Sequence, residues 1–137
     1  MRHVSHAEVF ARLDDPGTKD DSICIVTFNA PQMNLVRKLL VDQGKAAFVY
    51  IYSPGHGNGE LGAQALYCAH EKGKFWAAHD LLMSNKGYSM LNNTVKNDKA
   101  NSGTLADFLK SAVDSNFMKT CLESGKYAER VKKDVTI

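Results

Sequence analysis

The sequence predicts an α/β fold, a strand–helix–strand core followed by a predominantly helical second half. Three observations predict it. Ile23-Cys24-Ile25-Val26-Thr27-Phe28 is a short, continuous, β-branched run, as a strand buried on both faces should be. Ala46 to Tyr52 is a second such run. Between them, Met33 to Gln43 puts Leu35, Val36, Leu39 and Leu40 on one stripe with Arg37, Lys38 and Asp42 opposite, the pattern of an amphipathic helix. A crossover of that length suits parallel pairing of the two strands.

The elements follow in order. Residues 1–22 form a polar N-terminal segment broken by Asp14-Asp15-Pro16-Gly17, in which Val9, Phe10 and Leu13 fit either a helix or a short strand. Residues 23–54 are the strand–helix–strand core. Pro31 stands just before its helix, where a missing N–H costs little, and Gly44 caps the other end. Ser53 to Gly59 is a turn-rich loop. It fits neither glycine-rich phosphate-loop pattern, so it reads as a connection.

Residues 60–135 read as helical. Glu60 to Asn85 is one long helix or two joined near Gly73. Gly87 to Ser102, rich in Asn and Lys, reads as a polar loop. Gly103-Thr104 opens a helix from Leu105 to Val113, with Thr104 and Asp107 resembling a capping box. Asp114 or Ser115 caps a further helix through Glu123, Gly125 breaks it, and Tyr127 to Val135 is the last.

Composition narrows the function. The 137 residues suit one domain. Seventeen basic against 15 acidic residues leave a net charge of only +2, which gives no electrostatic reason to expect nucleic acid or a membrane surface as partner. No apolar run approaches the ~18–20 residues of a membrane span. Met1 to Glu8 lacks the apolar core of a signal peptide, so the chain either starts in the cytoplasm or is a trimmed one. Cys24, Cys68 and Cys121 form no Cys-x-x-Cys pair, too sparse for a disulfide scaffold or a zinc site. His70-Glu71 and His79-Asp80 do not make a His-Glu-x-x-His helix, so neither a metal nor another cofactor is expected. Asn92-Asn93-Thr94 is formally a glycosylation sequon.

Three stretches carry a family resemblance. Cys68-Ala69-His70-Glu71-Lys72-Gly73-Lys74-Phe75-Trp76-Ala77-Ala78-His79-Asp80-Leu81-Leu82 resembles the helical-insert signature of the DsbA-like branch of thioredoxin-fold proteins. Phe117, Cys121-Leu122 and Ser124-Gly125-Lys126-Tyr127 resemble that family's later insert helices, and Ile25 to Gln32 looks like its first core strand and the run into its active site. The resemblance implies a thioredoxin-like core, a thiol–disulfide oxidoreductase lineage and work outside the cytoplasm.

The family pattern demands Cys-Pro-x-Cys at the helix start. Here those positions are Met33-Asn34-Leu35-Val36, or, in another register, Ala30-Pro31-Gln32-Met33. Neither supplies a thiol. Disulfide exchange needs a thiolate and a second thiol to resolve the mixed disulfide, so no catalytic residue is expected, and Met33 and Val36 mark the lost cysteines.

The expected function is therefore non-catalytic protein binding, assembly or scaffolding. Pro31, Gln32, Met33, Asn34 and Leu35 would form the peptide-binding face. The alternative is a thiol–disulfide oxidoreductase with an altered active site. The family continues with further strands after the insert. Their absence here would leave an unpaired sheet edge for a partner or a second copy of the chain. The resemblance also suggests a structural disulfide between Cys68 and Cys121, against which stands the reading of two buried free thiols. Cys24 reads as an inert core thiol. Phe75, Trp76 and His79 read as aromatic packing, with a ligand surface as the competing view.

Overall fold

The computed structural model describes residues 30–55 and 57–137. The chain divides into two units, Met1–Val49 and Tyr50–Ile137. Among the described residues there is no strand, and the regular elements are all helical. This overturns the α/β thioredoxin-like class predicted from the sequence. The run Ile23 to Phe28, with Cys24, lies outside the described residues, as does the segment 1–22.

In the first unit, helix α1 (Ala30–Val36) passes directly into a π-helical turn, Arg37–Val41. The predicted helical stripe does form a helix, but its second half widens, so Asp42 N–H reaches back five residues to the Arg37 carbonyl at 2.9 Å. Gly44, with φ of 70°, turns the chain out of the helix, and Lys45 N–H closes on the Leu40 carbonyl at 2.9 Å.

Residues 46–52, predicted as the second strand, have no regular structure. Strand preference is chiefly a preference for a pleated, half-buried surface beside another strand. Without one, the backbone finds a side chain: Tyr52 N–H donates to the Asp134 carboxylate at 3.1 Å. With no sheet among the described residues, the predicted sheet edge has no basis there.

The second unit is built around α2 (Glu60–Glu71). Leu61, Gly62, Ala63, Ala65, Leu66, Cys68 and Ala69 are all buried, and their mostly small side chains let neighbours approach from several sides. Gly73, at φ of 65°, ends the helix where only glycine turns left-handed without cost. Its N–H bonds to His70 O, and Lys74 N–H bonds to Ala69 O, both at 2.9 Å. This is the paired closure of a Schellman end. The predicted alternative of two helices joined near Gly73 is therefore the one adopted, and α3 (Phe75–Leu82) follows.

Ser84 then caps α4 (Asn85–Ser89) by accepting from Gly87 N–H at 3.0 Å. The chain continues through a π-helical stretch, Met90–Val95, and a 3₁₀ turn, Lys99–Asn101. The predicted polar loop from Gly87 to Ser102 is thus largely helical. Asparagine side chains make it so by answering local backbone groups: Asn92 Nδ2 donates to Tyr88 O at 2.9 Å, and Asn101 Nδ2 to Thr94 O at 3.2 Å.

Three helices complete the unit: α5 (Ser102–Phe108), α6 (Ser115–Ser124) and α7 (Ala128–Val135). Thr104 does not cap α5, which starts two residues earlier. Asp114 does cap α6, accepting from Phe117 N–H at 2.8 Å. Helix α2 packs against α3, α6 and α7, and α5 packs against α6. The core comprises Leu66, Val95, Leu105, Leu109, Met118 and Leu122, with the cysteines among them. Each fully buried leucine stabilises the unit by about 2 kcal/mol through removal of apolar surface from water.

Gly87 is a sharp packing constraint. A Cβ there would lie 2.3 Å from Leu81 O and 2.4 Å from Leu82 O, both backbone atoms that cannot swing aside. Gly87→Ala is expected to cost about 2 kcal/mol or more, measured as a lower urea midpoint with an unchanged slope. An unchanged midpoint would mean that α3 and α4 do not approach this closely.

Candidate functional site

The residues expected to form a binding face lie on α1. Asn34 is exposed, Leu35 is 37% exposed, and Met33 and Val36 are half-buried. Pro31 and Gln32 belong to the same helix. The helix begins at Ala30, so Pro31 lies inside it and not before it, and Met33 and Leu35 fall in its second half; neither side chain can ionise.

The cysteine pair lies in the second unit. Cys68 of α2 and Cys121 of α6 are joined, with an S–S distance of 2.11 Å and Cα atoms 6.2 Å apart. Cys68 is fully buried and Cys121 nearly so. Both cysteines belong to the core cluster, a setting that hinders attack by an external thiolate.

Phe75, Trp76 and His79 cluster on α3. The Phe75 ring meets Trp76 edge-on at 5.0 Å and stacks on His79 at 5.9 Å, while Trp76 approaches His79 at 5.3 Å. His79 is 5% exposed, and its Nδ1 lies 3.1 Å from Asp80 Oδ1. Phe75 packs against the core cluster, and Trp76 remains partly exposed. Among the described residues no group of three or more His, Cys, Asp or Glu could hold a metal ion, and no helix is long and apolar enough to cross a membrane.

The sequon asparagine is structurally engaged. Asn92 Oδ1 accepts from Asn58 N–H at 2.7 Å while its Nδ2 donates to Tyr88 O. A glycan on Nδ2 would leave it a single N–H for the Tyr88 carbonyl.

The structure also contains a polar and aromatic cradle that sequence reasoning missed. Asp134 of α7 has a side chain with no solvent exposure. It accepts from Tyr52 N–H, from the Tyr67 hydroxyl of α2, and from Arg130 Nε at 3.2 Å. The Tyr50 ring sits between Tyr67 and Phe75, at 5.6 and 5.2 Å and edge-on to both. Tyr67 stacks on Tyr127 at 5.4 Å, and the Arg130 guanidinium lies 5.6 Å over the Tyr67 ring. Beside them, Glu71 accepts from Tyr127 Oη at 2.6 Å and Lys126 Nζ at 2.8 Å. The Lys126 donor, with Tyr127 second, holds the Glu71 carboxyl below the usual carboxylate range.

Burial pushes the Tyr50 phenol well above the usual phenol range. Burial, and then the hydrogen bond to Asp134, raises Tyr67 as well. Raised phenol pKa values contribute stability that is fully present below about pH 10, the ordinary value, and is lost as pH rises through the folded values. Alkaline titration is therefore expected to show phenolate absorbance from Tyr50 and Tyr67 appearing late, together with loss of helical circular dichroism, assigned with Tyr50→Phe and Tyr67→Phe. Ionisation of both at the ordinary value with the helices intact would contradict the packing described.

No protein-family model, no curated protein and no solved structure matches this chain.

Proposed function

We propose that this protein is a non-catalytic binding module that holds other polypeptides and does not exchange disulfides with them. One observation carries the reading. The two described cysteines are consumed by a bond between α2 and α6 inside the core, while the second half of α1 carries Met33, Asn34, Leu35 and Val36. A thiol–disulfide oxidoreductase needs an accessible, low-pKa thiolate, and neither place supplies one. The likeness to DsbA-like proteins rests on residues 25–32, 68–82 and 117–127, of which the last two stretches lie in the helical second unit. It supports a protein-handling role without requiring a thioredoxin core. A buried disulfide fits an oxidising compartment.

Dithiothreitol-driven aggregation of insulin tests this, because the two activities move the result in opposite directions. An oxidoreductase speeds the onset of turbidity, whereas a binding module delays it in proportion to its concentration. We expect a stoichiometric delay that weakens in Leu35→Asp. Acceleration, lost when the cysteines are replaced by alanine, would overturn the reading.

A further inference from the structure

The segment Tyr50–Tyr52 is seated on the helices of the second unit in the manner of a bound peptide. Its backbone is contacted at both ends. Tyr52 N–H donates to Asp134 at 3.1 Å, and the Tyr67 hydroxyl lies at 3.5 Å from Tyr50 O. Its first side chain fills an aromatic slot between Tyr67 and Phe75, and the middle residue, Ile51, is 42% exposed. The segment makes no sheet and belongs to no helix. It leads into Ser53-Pro54-Gly55, all exposed. A backbone acceptor, a backbone donor and an anchor slot are the elements by which peptide-binding domains read a short non-helical segment.

We propose that Tyr67, Phe75 and Asp134 form a peptide-binding cradle, that its partner is a short non-helical protein segment with an aromatic anchor and a free N–H two residues later, and that Tyr50–Tyr52 occupies it in cis as an autoinhibitory strap. The proposal rests on the reading of the protein as a binding module and names the class of segment it would hold. The buried carboxylate sets the main-chain requirement, since a segment lacking the N–H would leave Asp134 short of a donor. The slot sets the side-chain requirement, since a ring placed edge-on to two others gains more than its buried area alone. The strap, tethered to its own cradle, competes at an effective concentration of about millimolar.

The experiment uses the full chain and a capped synthetic peptide of residues 47–54, Ala-Phe-Val-Tyr-Ile-Tyr-Ser-Pro, labelled for fluorescence anisotropy. Tyr50→Ala, which empties the anchor slot, is expected to bind the peptide at least about tenfold more tightly than the unsubstituted protein, because it relieves the intramolecular competition. Two altered peptides should lose that binding: one with alanine at the position of Tyr50, and one N-methylated at the position of Tyr52. If Tyr50→Ala loses its helical circular dichroism, Tyr52→Pro, which loosens the strap by removing the N–H it gives to Asp134, is titrated instead. Equal binding by substituted and unsubstituted chains overturns the proposal, as does indifference to both peptide changes or no binding by a folded variant. A dimer in solution would make a second copy's strap the occupant and overturn a separate partner. Failure of the titration with insulin aggregation still delayed would remove the cradle alone and leave the binding-module reading standing.

Discussion

Replacing Cys68 and Cys121 together by alanine is expected to lower unfolding stability by about 4 kcal/mol. The bond closes a loop of sequence separation 53, and the chain-entropy estimate for a loop of that size is about 4 kcal/mol. Most of this arises in the unfolded chain, which is released from a constraint. Alanine is the right replacement because both positions are in the apolar core, where a serine hydroxyl would add an unsatisfied polar group. Denaturant midpoints of the oxidised protein and the double variant measure the loss. The protein unfolded with excess dithiothreitol should match the variant, and the variant should be insensitive to the reductant. Thiol titration in denaturant without reductant should find one free thiol. Finding three would remove the bond and the prediction with it.

The same pair marks where local sequence stops being informative. Their partnership depends on α2 and α6 packing side by side, which no spacing within either helix encodes. The helix boundaries set by local chemistry were partly legible: Gly125 ends α6, and Gly73 and Asp114 were among the alternatives for the end of α2 and the start of α6, whereas Thr104 does not cap α5. Residues whose structure depends on distant partners were not. Ala46 to Tyr52 has the composition of a strand, but composition supplies no second strand to pair with. Its Tyr52 N–H is answered by a carboxylate 82 residues away.

The asparagine-rich stretch was misread for the opposite reason. Polarity suggested a loop, but Asn92 and Asn101 turn inward to nearby carbonyls and support helical turns. Of the candidate site, the helical setting of Met33 to Val36 was readable from the apolar stripe. The cradle was not. Asp134 follows Arg130 by four residues, a spacing that ordinarily marks an exposed ion pair on a solvated helix face. Here the carboxylate is buried and meets Tyr52 and Tyr67 from distant parts of the chain.

Asp134→Ala is accordingly expected to be among the most damaging single substitutions, at about 2–4 kcal/mol, since two partly buried donors each lose an acceptor at about 1–2 kcal/mol. The cost comes from what is left behind. Tyr52 N–H and the Tyr67 hydroxyl lose their carboxylate acceptor, whereas Arg130, with more than half its side chain exposed, turns to water at little cost. Asp134→Asn separates the contributions. It keeps one acceptor oxygen and the shape but loses the charge, so it should cost only about 1–2 kcal/mol.

The alkaline titration supplies a readout that general destabilisation would not reproduce. The Asp134 hydrogen bond is one of the causes raising the Tyr67 phenol, with burial first. In Asp134→Asn the Tyr67 phenol should therefore ionise at a lower pH than in the unsubstituted protein while the helices remain formed. Near-neutral stability for Asp134→Ala, with Tyr67 ionising where it did before, would show that the carboxylate does not hold the strap.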